Sequence, residues 1–355
     1  MKRCRCLVFV FLSFFAFFAA PKAAFPGDSP RDTLLEKLLQ ARENWIQNAS
    51  FYGNYTVKSG SFSSEEEALA AAFDDAETNT GFACKLKNKY RRQIVSPPYD
   101  RGGETVPQKA TNKIANDRFS VTYWRYDGDY QNDLFGPVDG YVKDLSGKPG
   151  ASFRELREVA SPWWVFTGQA NPLYKGGIKI ADFGYTEQEN GRVLLTFREQ
   201  YPSMTEGKPG SILDWEITVR TDTEEPLVER TVFLMCIEGE DTPSHRQTVD
   251  ILEWQKCGEV LVPARFRWVN GDPRDMGKNH PGFSKWDCLE FQFTDLGQRQ
   301  PTDGDFKLEI RPEDKIFRLK RIPENNIIDI DALTDDDYNP DETLESVRNS
   351  EGDAK

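Results

Sequence analysis

Two histidines, His245 in TPSHRQ and His280 in KNHPG, are the residues best suited to acid–base or metal chemistry in this 355-residue chain. Both sit in Pro/Gly-rich stretches, outside any HExxH or GxSxG pattern, and read as exposed loop histidines. The chain also lacks GxGxxG and the phosphate-cradling GxxxxGK[ST]. Asp127-x-Asp129 and Asp335-x-Asp337-x-Asn339 have carboxylates at calcium-like spacing, but neither has the loop glycine and closing Glu of an EF-hand. A carboxylate pair for glycoside hydrolysis is defined by spatial separation, and nothing singles out one pair among 58 acidic residues. Cys84, Cys236, Cys257 and Cys288 are far apart and form no CxxC, which argues against structural zinc. In an oxidising compartment they could form two disulfides in any of three connectivities; buried free thiols fit the strand patterns equally well. The expectation is a non-enzymatic protein with no catalytic residues, metal or cofactor.

The conspicuous residues are aromatic. Trp163, Trp164 and Phe166 follow Pro162 in SPWWVF. They read either as a plug between a helix and a strand or as the lid of an apolar cavity. The preceding SFRELREVA has a helical pattern. The stretch DILEWQKCGEVLVPARFRW, residues 250–268, reads as a hairpin turning at Cys257-Gly258. On its second strand Val260, Val262, Ala264, Phe266 and Trp268 alternate with Leu261, Pro263, Arg265 and Arg267, the arginines keeping the far side wet. LDWEITV and CLEFQF alternate as cleanly. Turn residues separate the strands, among them Asn190-Gly191 and Thr223-Glu224-Glu225-Pro226.

These elements need a scaffold. SPRDTLLEKLLQARENWIQNA predicts an amphipathic helix capped by Ser29, with Pro30 at its first position and a stripe of Leu35, Leu38, Leu39, Trp45, Ile46 and Ala49. SSEEEALAAAFDDAE predicts a short helical insertion capped by Ser63 or Ser64. GFACKLKNKYRRQIV alternates with Leu86, Tyr90 and Ile94 on one side, and residues 96–113 read as a loop. Strict alternation implies antiparallel strands with one dry and one wet face. A sheet of 10–11 such strands should curl, leaving a trough for the helices to cover.

Export is indicated by MKRCRC followed by the apolar run Leu7–Ala20. That run is too short for a spanning helix and has the layout of a signal peptide. The expected organisation is a signal peptide over 1–24, one domain over 25–328 and an acidic disordered tail over 329–355. The whole chain carries a formal net charge of −13. Such a charge disfavours nucleic acid as a partner. The basic stretch KLKNKYRRQ at 85–93 reads as the solvated edge of a strand.

The order of elements resembles the outer-membrane lipoprotein carrier (LolA-like) superfamily, with its lipoprotein-receptor and envelope stress-sensor relatives. LEKLLQARENWIQNASFYGNYTV is similar to the opening helix and first strand of that family. GFACKLKNKYRRQI resembles the next strand, where Lys87 and Tyr90 stand nearest a basic–aromatic motif. SVTYWRYDGDY is similar to the strand ending in an Asp-Gly turn, and DFKLEIRPEDKIFRLK to the closing strand. Residues 61–80 and 98–113 depart from the family pattern as insertions, and the family's arginine on the second strand is replaced by Lys87. The resemblance implies a mainly β fold: a strongly curved antiparallel sheet forming an unclosed barrel, with an N-terminal helix and a lid-like helical segment over its concave face. It also implies a cavity for acyl chains.

The expected trough residues are Tyr90, Phe119, Val121, Tyr123, Trp215, Ile217, Phe266 and Trp268, with Trp163, Trp164 and Phe166 at the lid. The partner would be a lipid or lipidated protein, bound by a monomer in the periplasm or outside the cell, with peripheral contact to a membrane or membrane protein. Two other readings stand beside it: a cell-envelope structural, interaction or sensor module with a closed core, and a secreted carboxylate-dependent hydrolase.

Overall fold

The structure is a computed structural model and describes residues 29–73, 78–101, 104–127, 138–146, 183–201, 203, 209–240, 242–271, 273 and 286–343. The chain opens with α1, Pro30–Asn48. The Ser29 hydroxyl accepts the Asp32 amide at 3.2 Å, and Pro30 occupies a position whose amide would be unpaired anyway. Leu34, Leu35, Leu38 and Trp45 are buried along one stripe. A second helix, α2 (Glu65–Ala70), is capped by Ser64, whose hydroxyl accepts the Glu67 amide.

The strands of the first half are β1 (Phe51–Phe62), β2 (Thr78–Leu86), β3 (Lys89–Ser96), β4 (Tyr99–Arg101), β5 (Glu104–Val106), β6 (Lys109–Ala115), β7 (Phe119–Tyr126) and β8 (Gly140–Asp144). Those of the second half are β9 (Gly184–Glu187), β10 (Arg192–Tyr201), β11 (Ser211–Arg220), β12 (Leu227–Ile237), β13 (His245–Cys257), β14 (Val260–Gly271) and β15 (Trp286–Phe293). Three short strands follow: β16 (Lys307–Glu309), β17 (Ile316–Phe317) and β18 (Ile327–Asp329).

Fourteen of these form one curved, unclosed sheet in the order β17-β8-β7-β6-β3-β2-β1-β15-β14-β13-β12-β11-β10-β9. It is two meanders joined at one seam, where β1 pairs antiparallel with β15, Tyr55 opposite Phe293 and Phe62 opposite Trp286. The sheet is mixed, because β17 runs parallel to β8. β4–β5 and β16–β18 are separate two-stranded pairs.

Turn chemistry agrees with the sequence in the second half. Asn190 and Gly191 both have positive φ, which these two residue types adopt most readily. Cys257 pairs with Val260 across a turn that begins at Gly258, φ +64°. Pro263 cannot donate to a ladder. β15 pairs with β14 only from Arg265 onward, so Pro263 lies where β14 is still an edge.

α1 covers one face of the sheet, here called the inner face. The inner core joins Leu35, Leu38 and Trp45 to Phe51 and Tyr55 of β1, Tyr90 of β3, Leu195 of β10, Ile217 of β11, Phe266 of β14 and Phe291 of β15. Phe266 stacks on Phe291 at 4.8 Å. The outer face has two smaller clusters. One gathers Cys84, Ile114, Phe119, Val121, Tyr123 and Val142 under Phe306, Leu308, Ile310, Ile316, Ile328 and Ile330. The other sets Ala68, Ala71 and Phe73 against Val269, Trp286 and Cys288.

Several sequence expectations are corrected. Residues 81–95 are not one strand: β2 and β3 form a hairpin with Lys87 at φ +54°, so Leu86 joins an outer cluster while Tyr90 lies in the inner core. The 96–113 stretch contains β4, β5 and most of β6. DFKLEIRP does not close the meander; its three-residue β16 pairs with β18 on the outer face. The region from Asp329, expected to be disordered, is folded as far as Thr343, with Ile330 fully buried. Ile330, with Leu333 and Tyr338 packed beside it, supplies the apolar area that anchors the region, and most of its acidic positions stay at the surface. The signal peptide and the segment with Trp163, Trp164 and Phe166 lie outside the described residues.

Candidate ligand-binding face

Strand register assembles the inner face row by row. One row runs Leu195–Ile217–Thr231–Val249–Trp268–Leu289 across β10 to β15. Ile217 and Val249 in this row are buried, whereas Trp268 and Leu289 are only half-buried. The next row runs Phe197–Trp215–Phe233–Gln247–Asn270–Asp287, and a third carries Leu213, Met235 and His245. Trp215 and Phe233 approach to 4.7 Å between ring centroids, and Phe233 meets His245 at 6.1 Å. The apolar core therefore continues along β10–β15 into a half-buried aromatic patch with a rim of His245, Gln247, Asn270 and Asp287. A shallow apolar surface with a polar margin suits an amphiphile, since it offers area to the chain and hydrogen bonds to the head.

The α1 end of the same face is filled. The crevice between α1 and the β12–β14 turns, lined by Ala41, Trp45, Leu227, Trp254 and Val260, has a volume of about 20 Å³. That is room for about one water. Lys85, buried on this face, donates to the carbonyls of Ile46 (2.8 Å) and Ala49 (3.2 Å) at the C-terminal end of α1 and to Lys87 (2.5 Å). A cation there complements the helix dipole. Burial nevertheless pushes its ammonium down to about 8, against a smaller opposing pull from Asp117.

The eight residues expected to line the trough and the three expected at its lid divide three ways. Trp215, Ile217, Phe266, Trp268 and Tyr90 lie on the inner face; Trp215 and Trp268 belong to the aromatic patch, and the other three are closed in the core. Phe119, Val121 and Tyr123 are on the opposite face, under the C-terminal segment. Their alternation along β7 is real, but alternation gives two sides of a strand without saying which is which. Tyr123 donates its hydroxyl to buried Asp314 at 2.6 Å, and burial drives its phenol up from its ordinary value. Trp163, Trp164 and Phe166 fall outside the described residues. Phe197, Phe233 and Met235 complete the patch and do not stand out in the sequence, whereas Leu213 and Leu289, which also belong to it, fall on the dry side of the LDWEITV and CLEFQF alternations.

Other chemistry-bearing residues take structural roles. His245 opens β13 and is not in a loop. Cys84, Cys257 and Cys288 are buried and Cys236 is half-buried; all four are free thiols. Burial pushes Cys84 and Cys288 up to about 12 and Cys257 to about 11. Arg265 and Arg267 do not keep a wet surface. Both clamp buried Glu290 on the outer face, at 2.7 and 2.6 Å, and Arg267 also donates to the carbonyls of Leu69 and Ala71 beyond α2. Burial raises the Glu290 carboxyl, but hydrogen bonds from Arg267 and Arg265 outweigh that and hold it below its ordinary value. Among the described residues, no cluster of His, Cys, Asp or Glu has the makings of a metal site.

The fold defines a mainly β protein: a large, curved, unclosed sheet with one helix on its inner face. No family model and no curated protein matches the chain. Among solved structures, a DUF1329 family protein from Desulfovibrio piger is similar at 13% identity, covering 77% of this chain and 96% of that one, with a TM-score of 0.31.

Proposed function

We propose that this chain is an exported, non-enzymatic protein of LolA-like type that binds the apolar part of a lipid or lipidated partner on the aromatic end of its inner face. The observation that carries the reading is the half-buried patch of Trp215, Phe233, Trp268 and Leu289, continuous with the core but beyond the α1-filled end. Acyl-chain binding needs area and shape and no catalytic group. Each methylene covered contributes about 0.8 kcal/mol, so about ten covered methylenes correspond to micromolar retention.

Native mass spectrometry of the full protein isolated from its own envelope tests the reading. A co-purifying lipid is expected, and Trp215→Ala with Trp268→Ala should reduce its retention at least tenfold. Lipid-free wild-type protein, or retention that survives both substitutions, refutes it. A closed-core interaction or sensor module is the second reading, favoured by the dense packing around Trp45 and the single-water crevice beside it. Lipid-free protein would move the assignment there.

A further inference from the structure

On the outer side of the sheet, at its β17 edge, lies a cleft of about 420 Å³ that the reading above does not use. Its walls come from residues 314–317 and 319–322, with Val138 and Glu342 beside them. Ile316 forms its floor, and Phe317, Leu319 and Ile322 are half-buried around it. Lys320 and Arg321 stand exposed at its margin. The volume falls within the usual range for small-molecule sites, about 300–1,000 Å³.

The wall is held firmly. Arg318 has φ +65°, an uncommon conformation for a side-chain-bearing residue. Its amide donates to the Glu342 carboxylate, and its carbonyl accepts the Asn339 amide at 3.0 Å. The Lys320 amide donates to the Asp337 carbonyl at 2.9 Å, and Leu319 bridges to Tyr338. Unusual backbone maintained by converging bonds is a common mark of a ligand clamp.

The charges around the cleft are unevenly committed. Asp314 is engaged by Tyr123 at 2.6 Å and by Arg311 at 2.8 and 2.9 Å. Glu342 holds the Arg318 amide, Asp335 pairs with Arg118, and Asp337 accepts from Thr334 at 2.7 Å. Lys320 and Arg321 stand exposed, and each acts on a carboxylate only from a distance, through the field that helps hold Asp337 below its ordinary value. In a chain of net charge −13, the local acids are hydrogen-bonded within the scaffold and two exposed cations stand beside an apolar floor.

We propose that this cleft binds an anionic amphiphile, its carboxylate or phosphate on Lys320 and Arg321 and its chain against Ile316, Phe317, Leu319 and Ile322. Such an anion is available as a free long-chain carboxylate or as a phospholipid headgroup at a membrane surface. The two sources are separated by measuring the full protein's binding to laurate, and to phosphatidylglycerol and phosphatidylcholine vesicles. The same measurements are made on the Lys320→Glu/Arg321→Glu variant, whose exposed positions leave the fold intact.

Binding of laurate, weakened at least tenfold in the variant, supports a free amphiphile. Binding only to phosphatidylglycerol vesicles, with the same loss, supports a headgroup. No binding of either probe, equal binding to phosphatidylcholine vesicles, or an unaffected variant overturns the proposal. None of these results bears on lipid co-purification through Trp215 and Trp268, so the two readings fail independently.

Discussion

At Glu290 a single carboxylate joins two strands and a helix, because its two oxygens take Arg265 and Arg267 of β14 and the latter reaches on to the end of α2. Removing one partner of a buried ion pair leaves the other uncompensated, at a cost of about 3 kcal/mol. Glu290→Gln should therefore lower the unfolding free energy by that order in urea titration; a loss below the usual surface-mutation scatter would show the clamp to be incidental. Lys85 gives a pH test. Between about 8 and the ordinary value of 10.5, the unfolded chain holds a proton that the folded chain has released, so stability contributed here rises with pH. The buried thiols act oppositely above pH 9, since the unfolded chain loses protons that the folded one keeps. They are common to parent and variant, and so cancel in a comparison. Relative to Lys85→Met, the parent should gain stability from pH 7.5 to 10; an unchanging difference would mean that Lys85 is solvated. Neither role was legible in the sequence. Alternation shows that Arg265 and Arg267 share a side, but what covers that side comes from α2, about two hundred positions away.

An element is most legible in the sequence where one face alone is buried and least so where both are. α1 was legible nearly residue for residue, because Ser29, Pro30 and the leucine stripe all point to the same answer. The β11–β12 hairpin shows a subtler limit. Arg220 pairs with Leu227, and counting back from that turn would set Val232 opposite Trp215. A bulge between Thr218 and Val219 shifts the register by one, so that Phe233 stands there instead. One extra residue exchanges every side chain's face, and the aromatic patch depends on it. The C-terminal segment was hidden differently: its acidic composition suggested disorder, while Ile328 and Ile330 anchor it over β6–β8. Ile330→Ala should cost about 3 kcal/mol through lost burial and the cavity left behind. An unchanged melting temperature would show that the segment does not pack.

For the whole molecule, the inner core takes residues from both meanders, from Tyr90 in one to Leu195 and Ile217 in the other. Two units so joined should not melt separately. Tryptophan fluorescence and far-ultraviolet circular dichroism should give coincident denaturation curves, and two resolved transitions would mean that each half is stable alone. The general architecture, a curling antiparallel sheet under an N-terminal helix, was readable from alternation and one amphipathic pattern. The second covered face was not, because a strand with apolar residues pointing both ways looks like a strand with one dry side whenever the other side mixes in Ser and Thr, as β7 does.

The seam between β1 and β15 also orders events in time. Asn54 and Asp295, which meet beside it at 2.6 Å, are 241 positions apart. β1 is made more than two hundred residues before β15, and one of its edges must wait for that span before it finds a partner. Contacts of such span are slow to close, and unpaired edges are exposed to other chains meanwhile. Until β15 follows, the free edge of β1 is a margin on which another copy could pair, so the yield of folded protein should fall as its concentration during refolding rises.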